Sequence, residues 1–142
     1  ILYGFYQADS GAIAVQEKST EIRSAHDAIA AGIGMVHQHF MLVDTFTVLE
    51  NVVLGTETGF SLQESMQKTE RELQRLEKDY HLEVEINAVI NTLPVGLQQR
   101  VEILKALYRG ADILILDEPT GVLTPQEADH LFRILNGLRE QG

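Results

Sequence analysis

The chain has 142 residues, of which 44% are apolar, so it is large enough to form the core of one globular domain. Its 21 acidic side chains outnumber its 11 basic ones, and the net charge of −10 disfavours binding to nucleic acid or to an anionic membrane surface. The chain contains no cysteine, which excludes disulfides and thiolate chemistry, and no apolar run of membrane-spanning length. The composition therefore indicates an acidic globular chain.

The first segment predicts a helix end and a β-hairpin. Residues 1–6 are mostly apolar and predict the last turn of a helix that ends at Gly4. Residues 12–15 and 21–23 predict the two strands of a hairpin that turns at residues 17–18.

A short helix and a strand are predicted next. Ser24 and Asp27 have the spacing of a capping box, which predicts a short helix that ends at Gly32. Residues 33–37 predict a strand, and the loop after this strand contains Gln38.

Residues 47–94 predict an all-helical insert. Thr47 and Glu50 form a second capping box, and Ser61 and Glu64 form a third. The third box precedes a long amphipathic helix. Its apolar stripe consists of Leu62, Met66, Leu73, Leu76 and Tyr80.

Two further helices are predicted in the last third of the chain. One follows residues 94–96, runs to Arg109 and is ended by Gly110. The other has Thr124 as its N-cap, Pro125 at its first position and Glu127 closing a capping box.

The most informative segment is residues 113–120, with the sequence Ile-Leu-Ile-Leu-Asp-Glu-Pro-Thr. Four apolar residues predict a short strand that is buried on both faces of a sheet and stopped by Pro119. Asp117 and Glu118 follow at its carboxyl end, where open α/β sheets place ligand and metal chemistry. One carboxylate can hold hydrated Mg²⁺, and the other can polarise a water molecule. A turn that only ends a strand would not need four apolar residues before two acids, so the segment resembles the Walker B motif of nucleotide hydrolases.

The sequence lacks the phosphate-binding string Gly-x-x-x-x-Gly-Lys-Ser/Thr that accompanies such a motif. Glycine precedes none of its four lysines, which are Lys18, Lys68, Lys78 and Lys105. We therefore expect either a fragment of a nucleotide hydrolase, inactive by itself, or a protein of another kind.

A helix led by glycine precedes the acid-tipped strand. Val95 and Gly96 lie at its predicted N-terminus, and Gln98 comes next in the first turn. Backbone N–H groups and the helix dipole can meet an anion there, although a glycine before a helix is most often only a cap. Its position between the helical insert and the Walker B-like strand makes the anion-binding interpretation more specific.

This order of elements resembles the ATP-binding subunits of ABC transporters over essentially the whole chain. Residues 34–43, 47–51 and 98–107 are similar to the simple-sugar and nucleoside importers, whose ATPase subunit carries two such domains in tandem. Residues 1–4 resemble the segment directly after the phosphate loop in the first of these domains.

The resemblance implies an incomplete α/β P-loop NTPase domain of the ABC ATPase type. Residues 1–46 would form part of the α/β core with the loop of Gln38, and residues 47–94 a helical subdomain. Residues 95–142 would supply the signature helix, the Walker B strand and the following helix. We expect a truncated fragment that lacks the phosphate loop and the histidine after the family's next strand.

The resemblance also implies the cofactors ATP and Mg²⁺ and gives roles to single residues. Asp117 would ligate Mg²⁺ through water, and Glu118 would orient and deprotonate the attacking water. Gln38 would sense both the metal and the γ-phosphate, as a catalytic and a metal-site residue. The residues that close over the ATP of an opposite domain would be Val95, Gly96 and Gln98.

The implied partners are transmembrane permease subunits and a second ABC ATPase domain that pairs head to tail with this one. An extracytoplasmic solute-binding protein would take part indirectly, and nucleic acid would not bind. The subunit would lie peripherally on the cytoplasmic face of the cell membrane.

Two regions depart from the family pattern. The signature usually begins Leu-Ser-Gly-Gly-Gln, but here Pro94, Val95 and Leu97 replace the serine, the first glycine and the glutamine. Proline removes a hydroxyl and an N–H from a phosphate contact. Thr124 stands where the family usually has aspartate. The proline predicts slow or absent hydrolysis at the composite site that this segment completes. Because Thr124 serves as a helix cap, we expect communication across the domain interface to be altered.

Two other functions are open at this point. A soluble ABC-type ATPase that acts on ribosomes or DNA is disfavoured by the acidity and by the absence of a basic patch. A non-catalytic interaction module would use only the helical insert. His37 and His39 flank Gln38 and could bind a metal, but two ligands make a poor zinc site.

Overall fold

The computed structural model describes residues 1–56 and 62–141. A 3-10 helix, Ile90–Thr92, precedes the fourth α-helix. The strands are β1 (Ala14–Val15), β2 (Lys18–Ser19), β3 (Ile33–Val36) and β4 (Ile113–Leu116). The α-helices are α1 (Ala25–Ala30), α2 (Val48–Val53), α3 (Leu62–Tyr80), α4 (Val95–Tyr108) and α5 (Pro125–Gln141).

The strands pair as two small sheets. β1 and β2 form an antiparallel hairpin, whereas β3 and β4 pair in parallel. In the parallel pair Ile33 lies opposite Ile113, and Val36 lies opposite Leu116. Because parallel strands end at the same edge of a sheet, the loops after Val36 and Leu116 open side by side.

Helix α4 lies between the parallel sheet and the helical insert. It contacts β3 on one side and both α2 and α3 on the other. The largest buried apolar cluster is formed by Val36, Leu49, Val52, Val53, Leu73, Leu82, Ile86, Ile103, Leu104, Leu131 and Ile134. Burial of these side chains is the main force that holds the sheet against the helices. The predicted boundaries of the helical subdomain, at residues 47 and 94, stay a prediction. Helix α4 contacts both β3 of the α/β core and α2 and α3 of the insert.

Glycine at position 34 allows β3 and α4 to approach closely. A Cβ at Gly34 would lie 2.8 Å from the Cβ of Ala111 and 3.0 Å from the Cβ of Ala106. Small residues thus line the contact between the strand and the end of α4. The contact fixes the position of β3, and the loop that begins at its end carries Gln38.

The predicted helices form where their caps indicated. Ser24 caps α1, because its side chain accepts a hydrogen bond from the Asp27 N–H. Thr47 and Glu50 make a reciprocal capping box at α2. The predicted box at Ser61 lies outside the described residues, but α3 comes after it as a long helix.

Two predictions for the first segment are wrong. Residues 1–4 form a single turn, in which the Gly4 N–H donates to the Ile1 carbonyl at 2.9 Å, and not the end of a helix. The second hairpin strand is Lys18–Ser19, earlier than the predicted residues 21–23. The hairpin closes early because Gln16 and Glu17 adopt positive φ angles of 49° and 65°, which suit a two-residue turn.

The predicted burial of β4 on both faces is also wrong. Ile113 is 41% exposed, and the other three residues of the strand are half-buried. Within residues 1–56 and 62–141, β4 pairs only with β3, which leaves its other edge uncovered.

The close approach at Gly34 predicts a stability effect. Gly34→Ala should lower the free energy of unfolding by about 1–3 kcal/mol, because the new methyl group would be forced against two alanine side chains. Gly137→Ala in α5 is the control, since nothing lies within 4 Å of its added Cβ. It should be neutral or stabilise by about 0.5–1 kcal/mol. Urea unfolding of both variants measures the difference, and equal stabilities would contradict this view of the contact.

Candidate active site

The shared edge of β3 and β4 brings Gln38 and Glu118 together. The side-chain Nε2 of Gln38 donates to Oε2 of Glu118 at 2.9 Å, across 80 residues of sequence. Both side chains are exposed, so water can reach the contact. The arrangement places an amide and a carboxylate on the same small patch of surface.

The backbone turns sharply at Glu118. The Asp117 N–H still donates to the Val36 carbonyl at 3.0 Å and so continues the sheet. Glu118 has a φ of 45°, which an L-residue seldom adopts and which costs on the order of 1 kcal/mol. Its carbonyl accepts from the Gly121 N–H at 3.1 Å. Asp117 is therefore the last residue held by the sheet, and Glu118 begins the turn.

The donor set at this edge suits Mg²⁺. Asp117 supplies an exposed carboxylate. The Gln38 amide nitrogen is engaged with Glu118, so its oxygen is the end that can face a cation. Mg²⁺ prefers oxygen ligands, keeps several of its waters and is usually bound by one or two carboxylates together with substrate phosphates. In the described residues no group of three or more His, Cys, Asp or Glu side chains is placed to hold a metal ion.

Gln99 joins helix α4 to the turn after Glu118. Its buried side-chain Nε2 donates to the Pro119 carbonyl at 2.6 Å. The neighbouring Gln98 points elsewhere and donates to the carbonyls of Leu93 at 2.9 Å and Ile90 at 3.4 Å. The contact between Gln98 and a nucleotide stays a prediction, because this amide holds the preceding 3-10 helix.

The N-terminus of α4 carries the other predicted nucleotide-binding residues. Pro94 is its N-cap and makes no side-chain cap, while Val95 is exposed. Gly96 faces Glu127 of α5 so closely that an added Cβ would lie 2.8 Å from the Glu127 Oε1. The end of α4 that was predicted to meet phosphate is thus next to a carboxylate of the same chain.

Glu127 is held mainly by its own capping box. The Thr124 N–H and hydroxyl both donate to its Oε2 at 2.8 Å. These hydrogen bonds, first from the Thr124 backbone and then from its side chain, hold the pKa of Glu127 below its ordinary 4.5, and the Gly96 N–H adds a smaller effect. The carboxylate is therefore ionised at neutral pH.

The two histidines beside Gln38 do not come together with other ligands. The His37 ring packs on the rings of Tyr3 and Phe5, with centroid distances of 5.8 and 5.6 Å. His39 is exposed. The alternative of a metal site at this pair gains no third ligand in the described part of the chain.

Sequence reasoning assigned no role to three polar residues of α4, namely Gln99, Glu102 and Lys105. Gln99 and Glu102 are buried although they are polar. For Glu102 and Lys105 the signal was their position in the run Val101-Glu102-Ile103-Leu104-Lys105-Ala106, where charged residues interrupt apolar ones in a helix. Such residues lie inside a fold only when the tertiary structure supplies partners.

Parallel strands that end in an acidic turn, with helices packed on them, define an α/β domain of the nucleotide-hydrolase type. Residues 1–121 match the sequence model of the family described as ABC transporter. The chain therefore belongs to the ABC transporter family.

The most similar relatives include two nucleoside import proteins. The chain is 48% identical over 142 residues to the guanosine import ATP-binding protein of Bacillus subtilis and 49% identical to the nucleoside import ATP-binding protein of Lactococcus lactis. It is 40% identical over 147 residues to the ribose import ATP-binding protein of Hahella chejuensis. All of the chain is covered in each case, but it spans only 28% of the relatives' length.

Solved structures have the same fold. A nucleotide-free ATP-binding cassette from an ABC transporter aligns with a TM-score of 0.79 and 21% identity, covering 99% of this chain and 60% of that one. A dimeric ATP-binding cassette bound to ADP and phosphate, in a post-hydrolysis state, aligns with a TM-score of 0.67 and 26% identity. It covers 96% of this chain and 60% of that one. The predicted ABC ATPase fold is thereby confirmed.

The hydrogen bonds to Glu127 predict how it titrates. Its pKa is lowered on folding, so it stabilises the fold above pH 4.5, and this contribution is lost as the pH falls through the lowered value. NMR titration should give a midpoint below 4.5 for this carboxyl group. Thr124→Val, which keeps the N–H and removes the hydroxyl, should raise the midpoint only in part. A midpoint at or above 4.5 in the unmodified chain would contradict the capping geometry.

Proposed function

We propose that this chain is part of the ATP-hydrolysing subunit of an ABC importer for a nucleoside or a simple sugar. The observation that carries the proposal is the 2.9 Å contact between Gln38 and Glu118 at the shared edge of two parallel strands. Family membership and the nucleoside and sugar import names of the relatives support the substrate class.

Glu118 and Gln38 would act on the attacking water. The Glu118 carboxylate accepts the proton of the water, and the Gln38 amide holds that carboxylate in place through its N–H. Asp117 would hold Mg²⁺ through water at the end of β4. When bound, this ion neutralises charge on the phosphates. Because the backbone turns sharply at Glu118, the Asp117 carboxylate would serve the metal while the Glu118 carboxylate serves the water.

The N-terminus of α4 would serve the ATP held by a second ABC ATPase domain, paired head to tail with this one. Val95 and Gly96 present backbone N–H groups there, and Gln98 supports the turn that precedes the helix. Pro94 offers neither a hydroxyl nor an N–H. We expect the composite site completed by this segment to hydrolyse ATP slowly for that reason.

The permease would dock beside the loop of Gln38. Met41 and Leu54 are 66% and 43% exposed although both are apolar. Lys105 of α4 and Arg109, the C-cap of α4, donate to the backbone carbonyls of Met41 and Leu54. Met41 and Leu54 therefore lie along the same side of this helix. Exposed apolar residues of this kind suit a protein interface.

The subunit would lie peripherally on the cytoplasmic face of the cell membrane, as part of a complex with permease subunits. A solute-binding protein on the other side would deliver the substrate and would not contact this chain. Among the described helices, none combines the length with the apolar content that crossing a bilayer requires.

The role of Glu118 can be tested in a polypeptide that joins this chain to a phosphate-binding loop. Glu118→Gln should keep ATP binding and slow single-turnover hydrolysis by about 10²–10⁴-fold, because an amide cannot accept the proton of the water. Asp129→Asn changes an exposed carboxylate of α5 in the same way and should leave the rate unaltered. Unchanged hydrolysis in the Glu118 variant would remove this residue from the mechanism.

The permease surface can be tested by crosslinking, because the chain has no cysteine of its own. Met41→Cys and Leu54→Cys should each crosslink to a cytoplasmic loop of the permease in the assembled complex. Phe132→Cys, at an exposed apolar position on α5, is the matched control and should not react. If only the cysteine at position 132 crosslinked, the permease would dock on the surface of α5, and the proposed docking surface at Met41 and Leu54 would be wrong.

A further inference from the structure

The backbone of Met41 is held on both sides by charged side chains of α4. Its N–H donates to Oε1 of Glu102 at 2.7 Å, and its carbonyl accepts from Nζ of Lys105 at 2.8 Å. The Met41 side chain is exposed, so it contributes little packing of its own. The loop after Gln38 is therefore fastened here through its peptide groups.

Glu102, which is buried, and Lys105, which is mostly buried, form a pair one helical turn apart. Their charged atoms are 3.9 Å apart, and the side chains are only 5% and 12% exposed. Burial lowers the pKa of Lys105. Replacing such a pair by apolar side chains is often neutral or stabilising, so stability alone does not account for two charges inside the fold.

The two ends of this loop are attached to different parts of the fold. Gln38 is joined to Glu118 at the edge of the sheet. Three residues later Met41 is joined to α4, and Val43 is joined to α2 by Asn51, whose Oδ1 accepts from the Val43 N–H at 2.7 Å. The segment between Gln38 and Met41 thus spans from the sheet to the helices.

Helix α4 also contacts the turn that carries Glu118, the residue that Gln38 meets in the site. Gln99 donates to the Pro119 carbonyl, directly after Glu118. A shift of α4 would therefore act on the loop after Gln38 and on the turn after Glu118 at the same time.

We propose that Glu102 and Lys105 are positioning residues that fix the loop of Gln38 to the signature helix α4. By holding the Met41 backbone, they set the position of the Gln38 amide relative to Glu118. Their effect on hydrolysis rests on the proposed function, whereas their hold on the loop does not.

The test uses the full-length protein with the double substitution Glu102→Leu and Lys105→Met. Both partners are removed together, so no unpaired charge stays buried and the melting temperature should not fall. Amide hydrogen exchange at Met41 should become at least about tenfold faster, since its N–H loses its acceptor. The kcat for ATP hydrolysis should fall about tenfold, which corresponds to the free energy of one or two hydrogen bonds. The KM for ATP should stay constant.

Conservative substitutions provide the matched comparison. Glu102→Gln keeps an oxygen that accepts from the Met41 N–H, and Lys105→Arg keeps a donor to its carbonyl, so each should retain most of kcat. If Glu102 and Lys105 only filled space, these two variants would not be expected to retain more kcat than the double variant.

The outcomes separate the two proposals. An unchanged rate of amide exchange at Met41 in the double variant would contradict the proposal that Glu102 and Lys105 hold this loop on α4. Faster exchange with unchanged kcat, in a protein that Glu118→Gln inactivates, would overturn the positioning role. If Glu118→Gln leaves turnover intact, the proposed function fails, and the exchange rate still decides whether the pair holds the loop.

Discussion

The parallel register of β3 and β4 is the constraint on which the candidate site depends. Val36 lies opposite Leu116, and the two residues that meet in the site, Gln38 and Glu118, each come two positions after this last pair. A slip of one residue would shift the loop of Gln38 along the turn after Leu116 and reverse which faces the side chains occupy. The position of β3 is in turn supported by Gly34, because a side chain at position 34 would be forced against Ala106 and Ala111 and would push β3 away from α4.

Much of the local structure was predictable because its signals lie within a few residues of one another. The caps at Ser24, Thr47 and Thr124 each use a partner three residues later, so the sequence shows both halves of the interaction. The Walker B-like segment was also recognisable as a continuous string. The hairpin was placed wrongly because its turn depends on the φ angles of Gln16 and Glu17, and two ordinary residues give little warning of a left-handed turn.

Contacts between distant segments were not predictable in the same way. Met41 meets Glu102 across 61 residues, and Gln99 meets Pro119 across 20. In each case one partner is a backbone group, which every residue possesses, so the sequence does not mark where it will be. Only the buried polar partner leaves a trace, as a charge or amide among apolar residues of α4. Family resemblance supplied Gln38 and Glu118 as a pair, but it did not supply the side chains that hold their loops.

The two departures from the family pattern lie close together in the structure. Pro94 begins α4 without a donor, and Thr124 begins α5 by binding Glu127, whose carboxylate also lies beside Gly96. If α4 meets the phosphate of an opposite ATP as proposed, that phosphate approaches a helix end that already faces an ionised carboxylate. Like charges repel, so the ionised carboxylate of Glu127 would oppose phosphate at this helix end unless it turned away and gave up its hydrogen bonds to Thr124. In that arrangement the capping of α5 and the approach of phosphate to α4 would place opposite demands on Glu127.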